Sequence, residues 1–307
     1  LIVTTVLRPE RPFDRHEALL AQRTLFYRHA PSRQTDAPAA LFLHGLGGSA
    51  LNWTDFMGRM SSRLDCYALD LHGFGSSPPP RDGDMTPRGH ARAAADFILE
   101  RDLGPVHVFG NSMGGAVAVQ LAARRPDLVR SVTLISPALP SLTYATKGNV
   151  HLPVISVPGV GERLVLKFVE TTSPEERLQA TIDGTFADPS RMPADRLSEA
   201  MGEVQARDAR PYANDAFLSS LRGLMRTYFD PGPQRPWKLA ERVVAPTLLI
   251  YGRQDPLVDS RTAHRATKHF PNAHVVVLPD SGHVAQQEHP EFVEAAWDRF
   301  IAPTLDS

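Results

Sequence analysis

The chain has 307 residues, 42% of them apolar and 22% charged, the composition of a folded protein with a sizeable core and not of a disordered or collagen-like one. Its 33 basic and 34 acidic residues leave a formal net charge of -1, so bulk electrostatics gives no reason to expect DNA, RNA or an anionic membrane as partner. A single cysteine, Cys66, excludes an intramolecular disulfide and a thiolate metal site.

The chain opens Leu1-Ile2-Val3-Thr4-Thr5-Val6-Leu7-Arg8-Pro9, which lacks the long apolar core of a signal peptide. No uninterrupted apolar stretch approaches the ~20 residues of a membrane-spanning helix. A cytoplasmic location without integral membrane association is expected, with secretion left open because the first residue is Leu and not Met.

Thr24 to His29 can form an early strand, followed by a Pro-containing turn from Pro31 to Pro38. Ala39 to His44, Cys66 to Leu69, Val106 to Phe109, Ser131 to Ile135, Thr247 to Tyr251 and Ala273 to Leu278 are short apolar or β-branched runs. Several lack the alternation expected of a sheet with one wet face, as central parallel strands do. Cys66 then reads as a buried structural thiol. Helices are predicted over Gly89 to Leu99, Met113 to Arg125, Ser260 to His269 and Pro290 to Ile301. Alternating strands and helices predict an α/β fold with a mostly parallel central sheet flanked by helices.

The alternation stops between Pro137 and Pro236, where roughly 100 residues intervene, too many for a structureless loop. Within them Arg196 to Asp208 sets Leu197, Met201 and Val204 on one helical face. Asp215 to Phe229 carries apolar residues at three- and four-residue spacings, and Pro174 with Glu175 and Glu176 starts a further helix. The expected organisation is a core of residues 1–136 and 237–307 with a helical cap at 137–236, over the carboxyl edge of the sheet where open α/β sheets bind ligands.

Gly110-Asn111-Ser112-Met113-Gly114 follows an apolar strand and precedes a helix. That is the G-x-S-x-G arrangement in its strand-turn-helix setting: small residues two positions to either side let the backbone pass while Ser112 stands strained at the apex. A strand also runs into the turn His44-Gly45-Leu46-Gly47-Gly48. The backbone N–H groups of Leu46 and Met113 are the candidate donors for an oxyanion, and Asn111 and Gly45 are expected to border the substrate. Neither glycine-rich turn has the G-x-G-x-x-G spacing or the G-K-[S/T] end of a phosphate site.

A hydroxyl needs a base, and the base needs an acid to fix its tautomer. Of twelve histidines, His283 is the candidate base, because Asp280-Ser281-Gly282-His283 follows a late strand at the same sheet edge as Ser112. Asp255, four residues beyond Tyr251, is the candidate acid, and the order Ser112, Asp255, His283 is the one this architecture requires. Asp259 and Asp280 compete with it: Asp280 reads as an organiser of the base loop, Asp259 as a helix cap. His264, His269, His274 and His289 are read as belonging to helices or exposed edges. No H-E-x-x-H pair is present, and neither cofactor nor metal is expected.

These segments, together with Asp70-Leu71-His72-Gly73-Phe74-Gly75-Ser76-Ser77, resemble the α/β-hydrolase superfamily over nearly the whole chain. The resemblance implies that Ser112, His283 and Asp255 form the triad, that Leu46 and Met113 supply the backbone donors, and that Asp70 to Ser77 is structural. The chain is similar to carboxylesterases and monoacylglycerol lipases. It is also similar to hydrolases that cleave carbon–carbon bonds of ring-fission products, which use a cap arginine against a carboxylated dienol. Two departures set that second likeness lower: the early turn is H-G-L-G-G instead of H-G-G-G-P-G, and Val284 stands where those enzymes often have tryptophan. Arg191, Arg207 and Arg210 are read as surface charges. The expected function is hydrolysis of a small to medium, mostly apolar carboxylic ester, with carbon–carbon hydrolysis of a dienol as the alternative. The expected partner is a small molecule, and oligomeric state is not read from the sequence.

Overall fold

A run of apolar residues without polar alternation becomes a strand covered on both faces, and such runs build the centre of this protein. The computed structural model describes residues 13–20, 23–141 and 151–304. The opening run from Leu1 and residues 142–150 of the expected cap lie outside the described residues. Eight strands form one sheet: β1 (Arg15–Leu20), β2 (Arg23–Ala30), β3 (Ala39–Leu43), β4 (Asp65–Asp70), β5 (Val106–Asn111), β6 (Val129–Ile135), β7 (Thr247–Gly252) and β8 (Ala273–Leu278), in the spatial order β1-β2-β4-β3-β5-β6-β7-β8. β2 pairs antiparallel with β1 and with β4, and every other neighbouring pair is parallel.

Helices α1 (Thr54–Met60), α2 (Pro87–Glu100) and α3 (Met113–Arg124) follow β3, β4 and β5. Between β6 and β7 lie α4 (Leu152–Ile155), α5 (Val160–Thr171), α6 (Pro174–Asp183), α7 (Ala194–Asp208), α8 (Ala213–Tyr228) and α9 (Pro236–Ala240). α10 (Ala263–His269) precedes β8, and α11 (Ala285–Glu288) and α12 (Pro290–Phe300) follow it. The two-residue period of β3 divides its side chains between two cores. Leu41 and Leu43 join the layer containing α2 and α3, while Ala40 and Phe42 join Phe56, Met57, Val293 and Trp297 from α1 and α12. Cys66 is fully buried in that second layer, as expected of a structural thiol.

Among the elements not anticipated are β1, α1, α4, α5 and α9. The expected apolar face of α7 is also modified, since Met201 and Val204 pack against Leu178, Ile182, Phe186 and Val284, whereas Leu197 is 41% exposed. The helix start at Pro174 is built as a capping box: Ser173 Oγ accepts from the Glu176 N–H at 3.2 Å, and the Glu176 carboxylate accepts from the Ser173 N–H at 2.8 Å.

Strand order determines where a site forms. The chain passes from β3 to β4 on one side and then crosses to β5 on the other, so a crevice opens beyond the carboxyl ends of β3 and β5. The turn at Gly45 and the turn at Ser112 both emerge there. Among the described residues, no helix is long and apolar enough to cross a membrane.

Candidate active site

β5 ends at Asn111 and α3 begins at Met113, so Ser112 alone makes the turn, with φ 54° and ψ -117°. This left-handed backbone is strained for a side-chain-bearing residue, and the surrounding hydrogen bonds hold it. The Ser112 N–H donates to the Ile135 carbonyl at 3.0 Å, and the Ser112 carbonyl accepts from Ala138 at 2.9 Å. The flanking glycines are needed for space: a Cβ on Gly110 would stand 2.5 Å from the Gly114 carbonyl oxygen, and one on Gly114 would stand 2.1 Å from that of Leu43.

The turn after β3 lies against this elbow, since a Cβ on Gly45 would be 3.2 Å from the Ser112 Cβ and 3.2 Å from Asn111 Oδ1. His44 fixes that turn. Its Nε2 accepts from the Leu71 N–H at 3.0 Å, so Nδ1 carries the proton and donates to the Gly45 carbonyl at 2.7 Å. Because the peptide is planar and trans, holding the Gly45 carbonyl also fixes the direction of the Leu46 N–H. Burial lowers the His44 pKa to about 4, which keeps the ring neutral. Among the described residues, neither the Leu46 nor the Met113 N–H is taken up by a protein acceptor.

The loops after β7 and β8 bring Asp255 to His283. His283 Nδ1 meets Asp255 Oδ2 at 2.9 Å and Oδ1 at 3.1 Å, with both side chains buried. Asp255 Oδ1 also accepts from the N–H groups of Leu257 and Val258 at 2.8 and 2.9 Å. Burial presses this carboxyl upward, but the charge and hydrogen bond of His283 and the Val258 N–H outweigh it, so its pKa lies below the ordinary carboxylate value. Asp259 instead accepts from the Arg261 N–H and pairs with the Arg261 guanidinium, and Asp280 is exposed. His289, read from sequence as belonging to a helix or an exposed edge, is buried between α11 and α12, where its Nε2 meets the Asp280 carbonyl oxygen at 2.9 Å.

Ser112, His283, Asn111, Gly45 and Leu46 all border one cavity of about 760 Å³, within the size range of small-molecule sites. Cap residues close it, with Ile182 and Phe186 on one side and Phe217 and Leu221 on another. Its charged rim is largely paired: Arg196 binds Asp55 and Glu199, and Arg210 binds Glu203 at 3.1 Å. Arg207 and Arg210 were read as surface charges, yet both line the cavity. The Arg207 guanidinium lies 5.4 Å from the Phe217 ring centroid and has no ion-pair partner among the described residues. Arg191 stands outside, donating to the Glu288 carbonyl at 2.7 Å.

Asn111 was expected to border the substrate, but its bonds were not foreseen, and neither was any role for Glu288. Asn111 donates through Nδ2 to the carbonyls of Ile135 and His283, at 3.1 and 3.0 Å. Glu288, 1% exposed, accepts N–H groups from both the cap and the loop that carries His283. No local motif announces either link. Among the described residues no group of three or more His, Cys, Asp or Glu side chains is arranged to hold a metal ion.

Comparison with known proteins agrees with this architecture. A 2-hydroxy-6-oxononadienedioate/2-hydroxy-6-oxononatrienedioate hydrolase of Cupriavidus pinatubonensis is 28% identical over 92% of this chain and 91% of its own length. Lipase 3 of a Moraxella species is 28% identical over 81% of this chain and 72% of its own. A thermophilic esterase of Thermogutta terrifontis superposes with a TM-score of 0.72 at 18% identity, covering 94% of this chain and 98% of that one, a likeness of fold. The description of the alpha/beta hydrolase fold matches residues 38–290, and the chain belongs to that family.

Proposed function

We propose that this protein is a serine hydrolase that cleaves a small to medium, mostly apolar carboxylic ester through an acyl-enzyme on Ser112. The observation that carries the reading is the convergence, on one largely apolar cavity, of a strained serine and a histidine whose far nitrogen is held by a buried aspartate. In this reading residues 137–236 act as a cap that supplies the apolar wall and limits water.

Ser112 Oγ attacks the acyl carbon while His283 Nε2 takes its proton, and Asp255 stabilises the imidazolium that results. The N–H groups of Leu46 and Met113 donate to the oxyanion, each contributing about 3 kcal/mol to the transition state. The imidazolium then protonates the departing alcohol. Water, deprotonated by the same ring, attacks the acyl-enzyme to release the acid and restore Ser112. Every step uses groups of the chain itself, so the mechanism calls on no cofactor or metal.

Arg207 favours a second reading. A guanidinium with no ion-pair partner among the described residues, in a largely apolar cavity, suits a carboxylate on the substrate, as in carbon–carbon hydrolysis of a ring-fission dienol, and the Cupriavidus relative bears the name of a hydrolase of unsaturated dicarboxylates. Turnover of a p-nitrophenyl ester series beside a ring-fission dienolate separates the two. Ester hydrolysis with negligible dienolate turnover supports the first reading, and the opposite pattern overturns it in favour of the second.

A further inference from the structure

The base loop is gripped by the cap. His283 donates its backbone N–H to the Thr185 carbonyl at 2.6 Å. Gly282 packs so closely that a Cβ there would stand 2.5 Å from that same oxygen and 2.6 Å from the Ala187 nitrogen. Val284, on the other side of the base, is buried in a small apolar cluster with Leu178, Ile182 and Phe186 of the cap.

At the centre of this contact is the Glu288 carboxylate, which has no ion-pair partner among the described residues. One oxygen of Glu288 accepts from the N–H groups of Ala187 and Asp188 at 2.9 and 2.8 Å. The other accepts from the Gly282 N–H at 2.7 Å and from Ser281 Oγ at 3.4 Å. Outside it, Arg191 Nε donates to the Glu288 main-chain carbonyl at 2.7 Å. The carboxylate thus has one oxygen on the cap edge and one on the residue preceding His283. Thr185 and Phe186, at the start of that edge, line the cavity.

We infer that Glu288 is a positioning residue that locks the cap edge 185–188 to the base loop, so that His283 is held against Asp255 only while the cap is seated. This rests on the reading of His283 as the base. β8 is the edge strand of the sheet, so on one flank the loop has no neighbouring strand to brace it, and the cap provides the brace. A neutral amide of the same shape turns one acceptor into a donor facing an N–H group. Glu288→Gln therefore breaks one arm of the clamp without removing volume.

The test compares wild type, Glu288→Gln and Glu288→Asp on a short p-nitrophenyl ester and by the rate at which a fluorophosphonate labels Ser112. Folded Glu288→Gln is expected to lose at least about tenfold in kcat with little change in KM, and to be labelled correspondingly more slowly. The acid limb of its kcat/KM profile should move to lower pH by at least about half a unit, as an imidazolium that loses its carboxylate partner demands. Glu288→Asp should recover part of the rate. Folded Glu288→Gln with wild-type kcat, labelling rate and acid limb overturns the inference while leaving the reading of His283 intact. Wild type that is neither labelled nor active on esters overturns both. Should Glu288→Gln fail to fold, Arg191→Ala, at the partly exposed outer end of the same link, is expected to change kcat and the acid limb in the same directions to a smaller extent, and no change there overturns the inference.

Discussion

The side-chain amide of Asn111 donates to the main-chain carbonyl of His283 at 3.0 Å, tying the residue before the strained serine directly to the backbone of the histidine. Its second donor bond, to Ile135 at 3.1 Å, anchors the same amide to β6. Asn111→Ala removes both and leaves the His283 carbonyl unmatched, while the Ile135 carbonyl keeps the Ser112 N–H. It is expected to lower kcat by up to about 10²-fold through misplacement of the base and to cost about 1–3 kcal/mol of stability. Ester kinetics and urea unfolding check this; wild-type kcat in Asn111→Ala would show that the link does not position His283.

Asp255→Asn keeps the volume of the side chain but offers His283 an amide, which favours the wrong ring tautomer. A fall in kcat of about 10³- to 10⁴-fold is expected with the fold retained. Because the Asp255 pKa lies below the ordinary carboxylate value, the acid limb of wild-type kcat/KM should follow loss of a single proton. Two-proton steepness in that limb would contradict the assignment.

Four buried histidines make the fold acid-sensitive. Burial lowers the pKa of His44, His72 and His107 to about 4 and that of His90 to about 3, whereas in an unfolded chain the value is about 6.5. Above that value both states are neutral and the contribution is fully present. As pH falls through the window between 6.5 and the folded values, only the unfolded chain takes up protons, so stability is lost progressively. Urea midpoints between pH 7.5 and 4.5 should fall steeply, and His90→Leu should flatten the slope by about one proton. A midpoint independent of pH across that window would contradict this account.

Gly114→Ala pushes a Cβ to 2.1 Å from the Leu43 carbonyl oxygen and 2.7 Å from that of His44, both backbone atoms that cannot turn aside. A loss of about 2 kcal/mol or more, or failure to fold, is expected. Gly202→Ala, where a Cβ in α7 meets nothing within 4 Å, should instead stabilise by about 0.4–1 kcal/mol. Thermal melts of the pair test whether close approach at the elbow, and not glycine content as such, sets the requirement.

The central strands and the elbow were legible because burial on both faces leaves an unbroken apolar run, and because Gly110 and Gly114 flank a serine between a strand and a helix. Most boundaries agree to within two residues. β1 was missed because Arg-His-Glu-Ala-Leu-Leu has little intrinsic strand character; it forms as the hairpin partner of β2, with Arg15 opposite Arg28. α5 was missed because Leu164, Leu166 and Phe168 are exposed, which blurs any single apolar stripe. The placement of Ser112, Asp255 and His283 at one sheet edge was readable from strand order. The bonds from Asn111 to His283 and from Glu288 to the cap were not, since they join residues 172 and about 100 positions apart with no local pattern to mark them. In the sequence Arg207 reads as a surface charge because polar helix positions usually face water, and only the packing of α7 over the cavity turns it inward.

Mass spectrometry of the protein quenched during turnover of a p-nitrophenyl ester reads the chemistry at its source. The account predicts that the peptide containing Ser112 gains the mass of the acyl group, and that Ser112→Ala abolishes both the adduct and the turnover. Full turnover in Ser112→Ala, or an acyl group carried on another residue while Ser112 stays unmodified, would contradict it.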